Sequence, residues 1–354
     1  MEQIIFLGFI TAFFVVLIST PSLIKVTKLK HLVDEPGDER KLHNRSIPTI
    51  GGIIIFAAIV FSFSLWFPVE TKAAVRNITT FKMVIASLII LFFIGVKDDI
   101  IGTAPMKKLV GHILVAFILV MMGDIRIEGM HGIFGVEELP YWASVMLSVF
   151  VYIVIVNAFN LIDGVDGLAS GIGVICSLAF GFWFYYAGNV TLALLSFVLA
   201  GALFGFLIFN FSPARIFMGD SGSLLIGVII SVLAIRMIET DRQMMPELFQ
   251  LVSKPVLAMA IICYPLVDTL RVFAYRAIKG KSPFTADRNH THHRLLDLGL
   301  SQRKAVLVIY LYNLIVIGIA VACYSFSPTV ALLVCAPLAL FIMFIPFMLK
   351  TKNE

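Results

Sequence analysis

About eleven apolar stretches, each roughly the length needed to cross a bilayer, follow one another along the chain with only short polar connections between them. They lie near 3–23, 50–68, 80–96, 108–123, 141–158, 169–187, 191–210, 221–238, 254–272, 304–324 and 329–349. Backbone polar groups in lipid must be satisfied within their own segment, so such stretches have to be helices. The expected fold is therefore an all-α integral membrane protein, a single polytopic domain over residues 1–354. Only 14% of the residues are charged, against about a quarter in soluble domains, which excludes a soluble globular reading. Little chain remains for a separate soluble domain, so any chemistry has to sit in the loops or on the helix ends beside them. The first stretch lacks a basic leader and a small-residue cleavage site and reads as a retained helix. Cys176, Cys263, Cys323 and Cys335 all fall inside apolar stretches and read as packing residues, neither a disulfide framework nor a zinc ribbon.

The basic residues fix an orientation. An odd number of spans puts the termini on opposite sides and sorts the loops into two alternating sets. One set carries about nineteen Lys and Arg, among them Lys25 to Arg45, Lys97 to Lys108 and Arg276 to Lys304; the other carries about four. Short cytoplasmic loops are the positive ones, so the amino terminus is expected outside and the carboxyl terminus in the cytoplasm. The net charge of +5 then reflects topology and acidic lipid headgroups, with no nucleic acid as partner. The outer loops are bland, apart from residues 124–140, where Ile125-Arg126-Ile127-Glu128 with Gly129, Gly132 and Gly135 predicts a small hairpin.

Nearly every unusual cluster of Asp, Asn, His and Gly falls on the basic side. Asp98-Asp99 closes the third stretch; it reads either as a hard-oxygen Mg²⁺ site or as a solvated helix end. Asn160, Asp163 and Asp166 follow at three-residue spacing, so that if the segment is helical they share a face, with Gly164, Gly167 and Gly171 allowing close approach. Phe217-Met218-Gly219-Asp220-Ser221-Gly222 precedes the eighth stretch. There a glycine-bordered helix start offers N–H groups to a phosphate, Asp220 offers a metal ligand, and Phe217 offers a stacking face. Arg288, His290, His292, His293 and Arg294 make a cationic run suited to a diphosphate, with Asp287 placed to orient one of the basic groups; the loop has no cysteine and no acidic residue at a zinc-ligand spacing. The first cytoplasmic loop adds Lys41, His43, Thr49 and Gly51 as candidate substrate contacts. His31, His112 and His131 read as structural. A transporter would also contain intramembrane Asp and Asn, but it should place them near mid-bilayer and show related halves, and neither is seen here.

Taken together, Pro48-Thr49-Ile50-Gly51-Gly52, Asp98-Asp99, Asn160-Leu-Ile-Asp-Gly-Val-Asp-Gly167, Phe217-Met-Gly-Asp-Ser-Gly222 and His290-Thr-His-His293 resemble the polyprenyl-phosphate N-acetylhexosamine-1-phosphate transferases, glycosyltransferase family 4. That family includes phospho-MurNAc-pentapeptide translocase and the GlcNAc-1-phosphate transferases of the WecA and TagO type. The resemblance spans nearly the whole chain and implies a multi-pass enzyme of the bacterial cytoplasmic membrane. It implies Asp98, Asp99 and Asp220 at the catalytic centre, with Asp220 and Asp99 as ligands of Mg²⁺, which Mn²⁺ can replace. Asn160, Asp163, Asp166 and Phe217 are implied around the nucleotide, and Arg288, His290, His292 and His293 at the diphosphate. The partners implied are a UDP-N-acetylhexosamine and undecaprenyl phosphate, with a homodimer allowed. The HxHH form of the last motif is similar to the GlcNAc-1-phosphate branch and favours UDP-GlcNAc.

Overall fold

The computed structural model describes residues 2–30, 32–34, 46–69, 72–280 and 290–350. Lys41, His43, Asp287 and Arg288 of the expected site, and His31, lie outside the described residues.

Each apolar stretch becomes a helix. α1 (Glu2–Leu29) is followed by a two-residue antiparallel pair, β1 (Val33–Asp34) with β2 (Ile47–Pro48), then by α2 (Gly52–Leu65) and α3 (Lys72–Ile101). α4 (Pro105–Phe117) runs on through a π-helical turn to Met122. The hairpin expected near 124–140 is present as β3 (Gly129–Ile133) and β4 (Val136–Glu138). After it come α5 (Tyr141–Leu161), α6 (Leu168–Tyr186), α7 (Val190–Asn210) and α8 (Asp220–Ile238). The rest is a single turn α9 (Glu247–Gln250), α10 (Lys254–Ile261), α11 (Cys263–Ile278), the short α12 (Thr291–Asp297), α13 (Gln302–Ala322) and α14 (Pro328–Met348).

Among the described residues nine helices are long and apolar enough to cross a membrane, and α10 with α11, bent by 76°, makes a tenth. The stretch near 50–68 differs from expectation. α2 has only 14 residues, about 21 Å of helix against a ~30 Å hydrocarbon core. The bend in the tenth also departs from a plain span, and a side chain repairs it. Asn313 of α13, fully buried, accepts from the Tyr264 N–H at 3.0 Å and donates to the Ile261 carbonyl at 2.9 Å, serving the backbone on both sides of the break.

α8 is the central post. Its sequence is apolar on all sides, nearly every side chain on it is buried, and α2, α3, α5, α6 and α10 pack around it. The starts of α2 and α8 are knit together by backbone bonds: Phe217 N–H to Pro48 O at 2.8 Å, Gly51 N–H to Phe217 O at 3.0 Å and Gly52 N–H to Met218 O at 2.9 Å. At this crossing Gly95 of α3 meets the α8 backbone so closely that a Cβ would lie 2.5 Å from Ser221 Cα, which only glycine allows.

Contacts also sort the helix ends onto two faces of the bundle. The end of α3, the end of α5 and the starts of α2, α4 and α8 share hydrogen bonds, so they occupy one face. On the opposite face Glu2 accepts from the Tyr185 hydroxyl at the end of α6 at 2.6 Å, and Lys254 at the start of α10 donates to Thr240 O just past α8 at 2.6 Å. Thr329 at the start of α14 meets Phe134 of the hairpin there at 2.7 Å. The amino-terminal end of α1 and the carboxyl-terminal end of α14 thus lie on opposite faces of the bundle.

Candidate active site

The face that gathers the helix ends also gathers the carboxylates. α8 begins deep among its neighbours, and a buried helix start exposes N–H groups that need acceptors. Asp99, from the last turn of α3, supplies both: Oδ1 accepts from Asp220 N at 2.7 Å and Oδ2 from Ser221 N at 3.0 Å. Gly222 N and Ser223 N bond to Gly219 O, so the first turn of α8 is saturated. This corrects the expectation that the glycine-bordered helix start holds free N–H groups for a phosphate; the positive end of the helix is already matched by Asp99. Gly219 has a φ of 72°, and a Cβ there would sit 2.7 Å from both Asp99 oxygens, so the close capping contact depends on glycine.

Asp98 and Asp220 converge on one cation. Lys108 Nζ, in the first turn of α4, donates to Asp98 Oδ2 at 2.8 Å and to Asp220 Oδ2 at 2.5 Å, with all three side chains at most about one-fifth exposed. The other Asp220 oxygen accepts from Asn160 Nδ2 at 2.9 Å, and the same amide donates to Ser223 Oγ at 3.0 Å. Lys108 was not among the residues singled out from sequence, where it counts only as one positive charge of a cytoplasmic loop. The ammonium marks a space the size of a cation between two carboxylate oxygens. That donor set suits a hard divalent ion such as Mg²⁺, which prefers one or two carboxylates and completes its shell with water and phosphate.

α5 ends at Leu161, so Asp163 and Asp166 do not continue its face; they sit in the glycine-rich turn that leads to α6. Gly167, at a φ of 80°, starts α6 and gives its N–H to Asn210 Oδ1 at 3.1 Å. Asp166 Oδ2 accepts from Ala214 N at 2.9 Å and so ties this turn to the loop before α8. Asp163 accepts from the Gly219 N–H. Withdrawal from solvent, then the charges of Asp220 and Asp99, push its carboxyl well above the usual range. Thr49 and Gly51 line the α2 start against Phe217 and Gly219, the Thr49 carbonyl in contact range of Gly219.

The histidines form a second cluster, built on α11 and α12. The His290 and His292 rings stack with centroids 5.3 Å apart, and the His293 ring lies tilted against His292 at 4.4 Å. Arg294 is occupied at the end of α14, donating to Pro346 O at 3.1 Å and Leu349 O at 2.7 Å. His292 is 2% exposed, and burial followed by the adjacent His293 pushes it down to about 3, so its ring is neutral at physiological pH. The acidic partner of His290 comes from another segment: Asp268 of α11, completely buried, whose Oδ2 lies 2.7 Å from His290 Nδ1. Ligand atoms of Asp268, His290 and His292 all fall within 4.8 Å of one another.

Residues 81–238 match the profile described as glycosyl transferase family 4, the segment holding Asp98, Asp99, Lys108, Asn160, Asp163, Asp166, Phe217 and Asp220. Over 344 residues the chain is 33% identical to a probable undecaprenyl-phosphate N-acetylglucosaminyl 1-phosphate transferase of Bacillus subtilis (strain 168), covering 96% of this chain and 88% of that protein. The chain belongs to glycosyl transferase family 4. It is also 36% identical over 306 residues to the decaprenyl-phosphate N-acetylglucosaminephosphotransferase of Mycobacterium tuberculosis (strain ATCC 25618 / H37Rv), 82% of this chain and 75% of the relative. With the undecaprenyl-phosphate alpha-N-acetylglucosaminyl 1-phosphate transferase of Escherichia coli (strain K12) it shares 32% over 327 residues, 90% and 84% of the two chains. The resemblance read from five motifs is therefore correct, and this glycosyl transferase family 4 chain is a multi-pass membrane protein and a phosphotransferase. Its histidine cluster lies beyond the matched segment.

Proposed function

We propose that the protein transfers N-acetylglucosamine 1-phosphate from UDP-GlcNAc to undecaprenyl phosphate at the cytoplasmic face of a bacterial inner membrane, with Mg²⁺ as cofactor. The observation that carries this reading is the convergence of Asp98 and Asp220 on the Lys108 ammonium, with Asn160 holding Asp220 from its other oxygen, at a helix-end face of a membrane bundle. The names of the relatives support the donor sugar and the prenyl acceptor.

An acceptor so apolar keeps its chain in lipid and brings only its phosphate to the interface, where a soluble nucleotide sugar can meet it. A carrier phosphate oxygen attacks the β-phosphorus of UDP-GlcNAc, the bond from that phosphorus to UMP breaks, and the products are undecaprenyl-diphosphate-GlcNAc and UMP. A phosphomonoester with a second pKa of about 6 is largely dianionic at neutral pH, so positioning and charge compensation outweigh base catalysis. Asp98 and Asp220 would hold Mg²⁺, which when bound spreads the charge that gathers on the transferring phosphoryl group. Lys108 supplies a fixed positive charge beside it. Asn160 keeps the Asp220 carboxylate in one rotamer. Asp99 orients Asp220 by capping α8, a role that competes with its serving as a metal ligand. Asp163, Asp166 and Phe217 face the nucleotide, and His290, His292 and His293 with Arg288 serve the diphosphate.

The test is UMP release by purified, detergent-solubilised protein given UDP-GlcNAc, undecaprenyl phosphate and Mg²⁺. Carrier-dependent release that disappears with EDTA and in Asp220→Asn is the expected result. Release only with another UDP-N-acetylhexosamine would correct the substrate, and none with any nucleotide sugar would overturn the reading.

A further inference from the structure

Asp268 is a fully buried carboxylate with no place in the mechanism above. It lies in the second turn of α11, below the break at Ile262, and removing such a charge from water costs several kcal/mol unless its lone pairs are filled. They are filled by the histidine motif. His290 Nδ1 lies 2.7 Å from Oδ2; Thr291 donates to Oδ1 twice, from N at 2.9 Å and from Oγ1 at 2.7 Å. Arg271, one turn along α11, adds a longer contact to Oδ1 at 3.3 Å. His290 is the residue before α12 and makes no side-chain cap to it, so Asp268 caps that helix from another segment, as Asp99 caps α8. A carboxylate can only accept here, so the imidazole hydrogen facing it sits on Nδ1.

We infer that Asp268 is the positioning residue of the histidine motif: it clamps the His290 ring through Nδ1 and seats α12, leaving Nε2 as the nitrogen that meets the diphosphate. The inference rests on the diphosphate role proposed for His290. A carboxylate behind an imidazole fixes which nitrogen faces outward and in what direction, and an asparagine there does not, because its NH₂ and carbonyl must divide between His290 and Thr291. Thr291 supplies the second half of the clamp: its two bonds hold the carboxylate plane, so that Oδ2 stays on the ring.

The experiment compares wild type, Asp268→Asn, His290→Ala and the double variant in the UMP-release assay, with detergent-phase melting temperatures for each. Asp268→Asn should lose about 10- to 100-fold in kcat/KM, the loss expected for a charge-assisted hydrogen bond. The double variant should lose clearly less than the product of the two single losses, because Asp268 acts in large part through that ring. Asp268→Asn within twofold of wild type, or losses that multiply in the double variant, would overturn the inference. Imidazole ¹⁵N shifts of histidine-labelled wild type in lipid, with His290 assigned by its loss in His290→Ala, decide the case where the Asn variant does not fold: Nδ1 protonated supports the clamp, Nδ1 bare overturns it. A wild type silent toward every nucleotide sugar would remove the transferase reading, while the ¹⁵N shifts would still judge the Asp268 contact on its own.

Discussion

Lys108 holds two carboxylates that without it would face each other across a shared space. Replacing it by methionine keeps the length of the stem and removes the ammonium, leaving Asp98 and Asp220 uncompensated. In EDTA the Lys108→Met protein should lose about 2 kcal/mol of stability, seen as a lower melting temperature. Adding Mg²⁺ should raise that temperature by more than it does in wild type, because the ion then shares the two carboxylates with no neighbouring ammonium. Equal Mg²⁺ shifts in the two proteins would place the ion elsewhere. Asp163 gives a prediction with pH in it. Its carboxyl is pushed above the usual range, so the fold pays nothing below the unfolded value near 4, where both states are protonated. Destabilisation grows as pH rises from there to the folded value and is complete above it. Asp163→Asn should therefore melt higher than wild type at pH 8 in the absence of nucleotide and metal, and the gain should vanish below about pH 4. A gain independent of pH would mean that charge is not its cause. At this scale the sequence exposed Asp98, Asp220 and Asn160, because acids and amides between apolar runs are conspicuous. Lys108 and Asp268 stayed hidden: one reads as an ordinary topology charge, and the other sits 22 residues before its histidine, inside an apolar stretch.

At the scale of elements, periodicity and apolar length located every long helix, and turn glycines located the hairpin. What they could not convey is how a helix is interrupted. Ala260-Ile261-Ile262-Cys263 holds no helix breaker, but Pro265 has no N–H for the Ile261 carbonyl four residues back and its ring crowds that carbonyl, so it opens the helix one turn before itself. The break is made tolerable from outside, by the Asn313 amide of α13, which replaces backbone partners that the bend removes. Asn313→Leu should leave the Tyr264 N–H without its partner and the Ile261 carbonyl with only the weak Cys176 Sγ donor at 3.1 Å, costing about 1–3 kcal/mol. Asn313→Asp keeps the acceptor but loses the donor, and its buried charge should make it at least as damaging. Melting temperatures of the two variants in the same detergent check this; wild-type stability in either would mean that the bend satisfies itself. Because α11 carries Asp268, and Asp268 seats α12, disturbance at the break should also weaken the histidine cluster before the carboxylate site.

For the whole molecule, the sequence yielded an orientation that the bundle alone does not state, since a bundle without lipid has two faces and no inside. The contacts establish that the end of α14 shares a face with α12, through Arg294 to Pro346 O and Leu349 O, and that α1 begins on the other. The face bearing the carboxylates is bordered by the loops that hold about nineteen of the basic residues. The positive-inside rule then makes a cytoplasmic carboxylate face the orientation to test. A green fluorescent protein fused after Glu354 should fluoresce, and alkaline phosphatase fused at the same point should be inactive, with the pattern reversed for fusions in the Gly129–Glu138 hairpin. The opposite pattern would set Asp98, Asp220 and the histidines outside the cell, away from the nucleotide sugars made within it. The transferase reading depends on that side of the membrane, because its donor is soluble and charged and cannot cross to the acceptor unaided.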